Sequence, residues 1–198
     1  QTVPFGSQLH ASDYQKEGIP VVNPTHLADN KINHEGIPRI SPDTAERLKR
    51  HVLEKGDILF GRRGEIGRHG LVGEKEIGWL CGTGCFLVRI NNKDVCNKFL
   101  SYWFTTEAII LWLNAHAAGV IMPNLNNIVL AKIPLALPKV EDQREIADIL
   151  QTIDRKIEGH ELKKRSLQDL FKTMLHKLMT AQIRVNHLDI DTSEVVSS

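Results

Sequence analysis

The sequence is short of several things, and each shortage excludes a class of protein. It has three cysteines, Cys81, Cys85 and Cys96. They are odd in number and at no structural-zinc spacing, so neither a disulfide framework nor a zinc site is expected; buried, reduced thiols in a cytosolic protein are. Nine histidines are scattered without an HExxH motif or an i, i+4 pair, so no metal site is expected. GxGxxG is absent, and no GK[ST] follows the glycine-rich stretch, which excludes the two common phosphate-cradling loops. No apolar run approaches about 18 residues, so no membrane span is expected, and no signal peptide is recognisable. The chain opens on Gln1 and not on Met; an N-terminal piece is expected to be missing or processed. Net charge is only +1. Residues 1–140 hold 16 Lys/Arg against 13 Asp/Glu, residues 141–180 hold 8 against 8, and residues 181–198 hold 1 against 3. The basic surplus lies in the front of the chain and is small, so non-specific DNA affinity should be modest. Hydrophobic content of 41% and charged content of 25% suit an ordinary soluble protein.

What is present is concentrated in one stretch, Glu141 to Met179. It contains no proline and a single glycine, Gly159. Apolar residues recur at Ile146, Leu150, Ile153 and Ile157, then at Leu167, Phe171, Met174 and Leu178, and the two sets connect through His160 and Lys164. Steps of 4 and 3 alternate, which is a heptad seam of period 3.5. Pro138 disfavours helix before it, while Glu141 and Asp142 suit the positive end of a helix dipole. At about 1.5 Å per residue the helix would be roughly 58 Å long. Either it folds back on its own domain, or its stripe packs on a second long helix, from this chain or another, as an assembly spacer. The polar seam residues His160 and Lys164 either fix register or form a local bulge facing a partner.

The front of the chain is irregular to residue 40, apart from a short apolar strand at Ile19–Val22. Ser41-Pro42-Asp43 opens a helical stretch from Thr44 to His51, with Ser41 as N-cap. Lys55-Gly56-Asp57 makes a turn into a buried strand, Ile58–Phe60. Ten residues from Gly61 to Gly70 then hold four glycines and three arginines before a second short strand, Leu71–Val72. Two readings stand: a solvated hairpin with incidental arginines, or a ligand loop in which glycines admit close approach and arginines meet phosphates and guanine edges. A strand over Cys85–Ile90 follows. A helix capped by Asp94 or Asn92 runs through Phe99, Leu100, Trp103 and Phe104 and restarts as Ala108–Leu113; its aromatics read as core. Asn124, Asn126 and Asn127 lie in a polar loop, and a last strand covers Lys132–Leu137. The pattern is α+β.

The order of these pieces resembles a known family. Lys55-Gly56-Asp57-Ile58-Leu59-Phe60, Gly64-x-x-Gly67, Gly84–Ile90 and Phe99–Phe104 come first. Gly119-Val120-Ile121-Met122-Pro123-Asn124-Leu125, Ile133-Pro134-Leu135-Ala136-Leu137-Pro138 and Glu141-Asp142-Gln143-Arg144-Glu145-Ile146 follow. From about Gly18 to Arg184 this is similar to the specificity subunit of type I restriction-modification systems. Two departures stand out: the junction usually reads Glu-Glu-Gln or Glu-Gln, and the full family chain holds two recognition domains and two such helices.

The resemblance implies a target-recognition domain over residues 1–140, a mixed α/β unit that reads one half of a split DNA target. It implies a coiled-coil-forming spacer helix over 141–180 that packs antiparallel on an equivalent helix and sets half-site spacing, and a partly disordered tail over 181–198. The expected partners are double-stranded DNA, an adenine methyltransferase subunit and a motor and endonuclease subunit, with homodimerisation if the chain is a half-subunit. S-adenosylmethionine, ATP and Mg are expected in those partners and not in this chain, which is expected to be cytoplasmic and non-catalytic. The residues agree in one respect: no catalytic set, PD-(D/E)xK-like or NPPY-like, is found. The alternative is a protein-interaction adaptor whose helix recruits a partner without DNA reading.

Arg62, Arg63, Arg68 and His69 are the expected DNA contacts. Glu65 either accepts from cytosine or pairs with an arginine. Asn23, His26 and Lys31 in the front loops, and Asn114 and His116 farther on, complete the set; Asn124 is assigned a backbone-holding role. Ile146, Leu150, Ile153, Ile157, Leu167, Phe171, Met174 and Leu178 form the dimer or partner face. Leu150→Asp combined with Ile153→Asp should break the assembly. Sedimentation of the double variant at the unchanged assembly mass would refute the seam.

Overall fold

A computed structural model describes residues 9–28, 30–62, 65–117 and 125–184 of the chain. Most of the expected tail, from residue 185 on, lies outside the described residues. The chain divides into two compact units, Gln1–Asp148 and Ile149–Ser198. The sequence reading put the boundary at residue 140; the first turns of the long helix belong to the first unit.

Among the described residues the first unit contains three small sheets. One joins β1 (Tyr14–Gln15), β5 (Arg39–Ile40), β2 (Ile19–Val22) and β8 (Leu80–Cys81) in the order β1-β5-β2-β8, with β2 and β8 parallel. A second pairs β3 (Leu27–Ala28) with β4 (Lys31–Ile32). The third is antiparallel, β7-β6-β9, from β6 (Ile58–Gly61), β7 (His69–Leu71) and β9 (Cys85–Val88). Its register sets Phe60 opposite His69 and Phe86. Helices α2 (Asn97–Phe104) and α3 (Glu107–His116) bury Phe99, Leu100, Phe104, Ile109 and Leu113. Most of these pack with Ile58, Phe60 and Phe86 in one apolar cluster. The expected core role of the helical aromatics is therefore observed. Removing such side chains from water is the main stabilising term of the unit.

Local chemistry explains several elements. Ser41 caps α1 (Pro42–Arg47), its Oγ accepting from the Thr44 amide at 3.1 Å. The α-helix ends at Arg47, and a separate 3₁₀ turn, Lys49–His51, follows in place of one helix to His51. The turn before β6 is fixed by Asp57, which is 2% exposed. Its carboxylate accepts from the Glu54 amide at 2.7 Å and from Arg89 at 2.8 and 2.6 Å. Arg89 also reaches the Val52 carbonyl at 3.0 Å and Glu54 at 2.6 Å. The hydrogen bonds to Asp57 raise the Arg89 pKa and keep the cation in place. Gly56 sits at φ +87°, where a Cβ would also meet the Asn97 amide at 3.0 Å, so glycine is required.

The expected strand at Lys132–Leu137 is not one: the segment is irregular after α4 (Asn127–Leu130). Pro134 and Pro138 withhold N–H donors and no ladder forms. The Pro134 carbonyl accepts from the Trp103 indole at 3.2 Å. Neither Asn92 nor Asp94 caps α2, whose N-cap is Cys96; Asn92 instead closes a local turn by accepting from the Asp94 amide at 2.9 Å.

The long helix, α5, covers Val140–Met179. Gln143 in its first turn is fully buried. Its Oε1 accepts from the Cys96 amide at 2.8 Å. Its Nε2 donates to the Pro138 carbonyl at 2.8 Å and the Asp94 carbonyl at 3.1 Å. Ala147, one turn on and on the same face, is also fully buried. In the second unit Leu150 is half-buried and the rest of the expected seam is exposed, from Ile153 at 49% to Phe171 at 67% and Leu178 at 39%. Replacing Gln143 by Leu should leave one amide and two carbonyls unpaired, at about 1–3 kcal/mol each. Urea unfolding should report a loss of roughly 3 kcal/mol or more; a loss of a few tenths would show that Gln143 does not anchor the helix.

Candidate nucleic-acid interface

The glycine- and arginine-rich loop joins β6 to β7, so the antiparallel register holds its two ends side by side. At the near end the Arg62 amide donates to the Gly84 carbonyl at 2.7 Å, and its carbonyl accepts from the Leu125 amide at 3.1 Å. The Arg62 guanidinium lies 5.7 Å from the centre of the Phe86 ring. Arg63 and Gly64 lie outside the described residues. At the far end Gly67 turns at φ +89°, with its open side against Ile110 and Leu113 of α3. Arg68 pairs with Glu65 at 2.5 Å, so of the two roles open to Glu65 the pairing with an arginine is the one observed.

A cavity of about 640 Å³ opens beside this loop. Glu65, Gly67, Arg68 and His69 line it from the loop, Asn30 from the β3–β4 turn, and Asn114 from α3. Asn30 holds φ +66°, a left-handed conformation that asparagine tolerates better than most residues. Its side chain accepts from the Ser101 hydroxyl of α2.

The other expected contacts divide. His69 is 2% exposed, stacked on Phe60, with Nδ1 on the Gly67 carbonyl and Nε2 on the Ser101 carbonyl. It is a wall of the cavity and not a surface contact, which corrects the sequence expectation. His26 is also buried, and its Nδ1 accepts from the Asn23 amide at 3.0 Å. That bond closes the 3₁₀ turn Pro24–His26, so His26 too is structural. Burial lowers the pKa of both rings. The Asn23–Pro24 turn nevertheless lies at the base of the loop, because Gly82 and Gly84 leave room for it: a Cβ on Gly82 would fall 2.1 Å from the Asn23 Oδ1. Lys31 is exposed on β4, its carbonyl close against Gly70. Asn114 lines the cavity while donating to the Ile110 carbonyl at 2.9 Å. His116 stacks on Trp112 at 4.0 Å at the end of α3, and it does not line this cavity. Asn124 lies outside the described residues. Asn30 and Ser101 were missed. An asparagine followed by a short strand was the one available signal for the first; nothing local marked the second. Among the described residues no group of three or more His, Cys, Asp or Glu could hold a metal ion, and no helix is long and apolar enough to cross a membrane.

The first unit is a mixed α/β fold carrying an arginine- and glycine-rich loop beside a cavity, and the long helix carries an apolar seam. Residues 6–169 match the family model described as the type I restriction modification DNA specificity domain. The chain belongs to that family. It is 25% identical over 194 residues to the type I restriction enzyme MjaVIII specificity subunit of Methanocaldococcus jannaschii, covering 93% of this chain and 44% of that protein. It is 24% identical over 194 residues to the EcoBI specificity subunit of Escherichia coli, covering 94% of this chain and 41% of that one. The chain thus spans less than half the length of these relatives. Its fold is shared with the crystal structure of the HsdS subunit from Thermoanaerobacter tengcongensis (TM-score 0.56, 21% identity, 88% of this chain and 45% of that chain). The S subunit from M. genitalium is similar to the same degree (TM-score 0.56, 18% identity, 87% of this chain and 41% of that chain).

Combined Arg62→Ala and Arg68→Ala should weaken duplex binding by about 1–3 kcal/mol for each arginine that meets a base edge squarely. Gel-shift titration at fixed salt checks this; unchanged affinity and unchanged sequence preference would remove the loop from the interface.

Proposed function

We propose that the chain reads one half of a split DNA target and sets the spacing to the second half through its helix. The chemistry falls to other subunits: an adenine methyltransferase that uses S-adenosylmethionine, and a motor and endonuclease subunit that uses ATP and Mg. One observation carries the reading: the family match spans residues 6–169, which takes in both the arginine loop and most of α5. The loop supplies the donors for base edges and phosphates. The exposed seam of α5 supplies the face for a second equivalent helix.

The charges of α5 favour an antiparallel neighbour. Residues 141–158 hold six acidic and three basic side chains, and residues 159–179 hold two acidic and five basic. An antiparallel pair lays each acidic half along a basic half, whereas a parallel pair stacks like on like. His160 and Lys164 fall near the middle of Val140–Met179, where two antiparallel copies would bring them together and fix register. Two-fold pairing implies a target of two inverted half-sites, because site symmetry follows protein symmetry.

The test is enrichment of random duplexes by the chain mixed with its methyltransferase partner. An inverted pair of short motifs at fixed spacing is expected. A single unpaired half-site would refute two-fold pairing, and no enrichment at low salt from a confirmed complex would favour the adaptor.

A further inference from the structure

The buried imidazole of His69 makes a pair of contacts that its neutral form cannot complete. Nδ1 lies 2.8 Å from the Gly67 carbonyl oxygen and Nε2 lies 2.8 Å from that of Ser101. Both oxygens accept and neither donates. A neutral ring carries one N–H, so its other nitrogen turns a lone pair toward a carbonyl; a protonated ring donates to both.

The surroundings favour the cation in two ways. Ser101 lies in the last turn of α2, and Thr105, which would reach back to its carbonyl, donates to Tyr102 instead. The negative end of the helix dipole is therefore open to His69. The ring also stacks on Phe60 at 5.2 Å and meets Phe104 edge-on at 5.8 Å, and aromatic faces attract cations. Burial works the other way and outweighs the two backbone hydrogen bonds, lowering the pKa below the ordinary 6.5. The charged side chains lining the cavity, among the described residues, are Glu65 and Arg68, which pair with each other. The other elements around it present Asn30, Ser101, Phe60, Phe104, Ile110 and Asn114, none of which titrates. In the free protein burial thus favours the neutral ring, which can donate to only one of the two carbonyls.

We infer that His69 is the positioning residue of the DNA-reading loop, and that DNA binding is coupled to uptake of one proton on its imidazole. The inference rests on the proposed reading of DNA by this loop. Phosphates arriving over the cavity bring the negative potential that the site lacks. The ring takes a proton from solvent and donates to Gly67 and Ser101 together, tying the loop to α2. Gly67 is bracketed by Glu65 and Arg68, so fixing its carbonyl orients the Arg68 branch. The Ser101 hydroxyl carries the tie on to Asn30 across the cavity. The sign follows from linkage: the bound-state pKa lies above the free-state pKa, so affinity rises as pH falls between the two, by at most tenfold per pH unit for one proton.

The test uses the full chain and a mixed-sequence duplex pool at low salt. Calorimetry in buffers of different ionisation enthalpy counts protons, and imidazole ¹⁵N shifts report the His69 ring directly. Expected are uptake approaching one proton per bound duplex, a several-fold gain in affinity from about pH 7.5 to about pH 6, and a His69 ring that becomes doubly protonated on adding DNA. His69→Gln should abolish the uptake. A ring that stays neutral with duplex bound, or uptake unchanged in His69→Gln, overturns the inference and leaves DNA reading intact. Failure of the wild-type chain to bind the pool at low salt overturns both.

Discussion

One buried amide fixes the start of the long helix within the first unit. Gln143 has one acceptor and two donor hydrogens, and it spends them on the Cys96 amide and on the Pro138 and Asp94 carbonyls. Glutamate would lack the donors, asparagine the reach, and leucine both. The groups it binds come from the segment that leads into α2 and from the proline that ends the preceding extended run. The first turn of α5 is thereby held through backbone, which side-chain changes elsewhere do not disturb. This gives physical content to the Glu141-Asp142-Gln143 junction: the two acids suit the helix dipole, and the glutamine is the joint.

A second constraint prepares the loop. Asp57 and Arg89 lock the turn ahead of β6, and β6 passes through the sheet centre before releasing the chain at Gly61. Arg62 is then held by its own backbone on both sides, at Gly84 and Leu125. At the other end His69 belongs to β7 and to the core. Arg62 and Arg68 thus stand next to anchored backbone at the two ends of the segment, and under the proposed reading ordering these two arginines costs less conformational entropy on binding.

The parts legible in the sequence were those written in local or periodic chemistry. The heptads of α5 predict a helix that differs from the observed one by a single residue at its start. The Ser41 cap and the strand Ile19–Val22 are likewise local. Tertiary partners decided the rest. Ile133 to Leu137 alternates like a strand, but its prolines leave no ladder to join. Asn92 looks like a cap but closes a turn, while the carbonyl of Asp94 is taken by a glutamine far along the chain. His69 sits among arginines in sequence and among Phe60 and Phe104 in space; strand alternation turned it inward while composition pointed outward. Glu65 and Arg68 satisfy each other, a pairing that composition alone left open.

That last pairing bears on how such a loop discriminates, under the proposed reading. An arginine already paired must give up its carboxylate to meet DNA. A phosphate offers one charge in return for another, so the exchange is close to neutral and non-specific binding stays modest. A guanine edge offers two acceptors in the fixed geometry of the guanidinium fork, and the displaced Glu65 can accept from a cytosine amine nearby. Only the matching base pair then recovers both halves of the broken pair. A front module with a surplus of three basic residues over residues 1–140 is suited to that arrangement: its field holds arbitrary DNA only modestly, and further affinity accrues where the new partners replace those the loop already has.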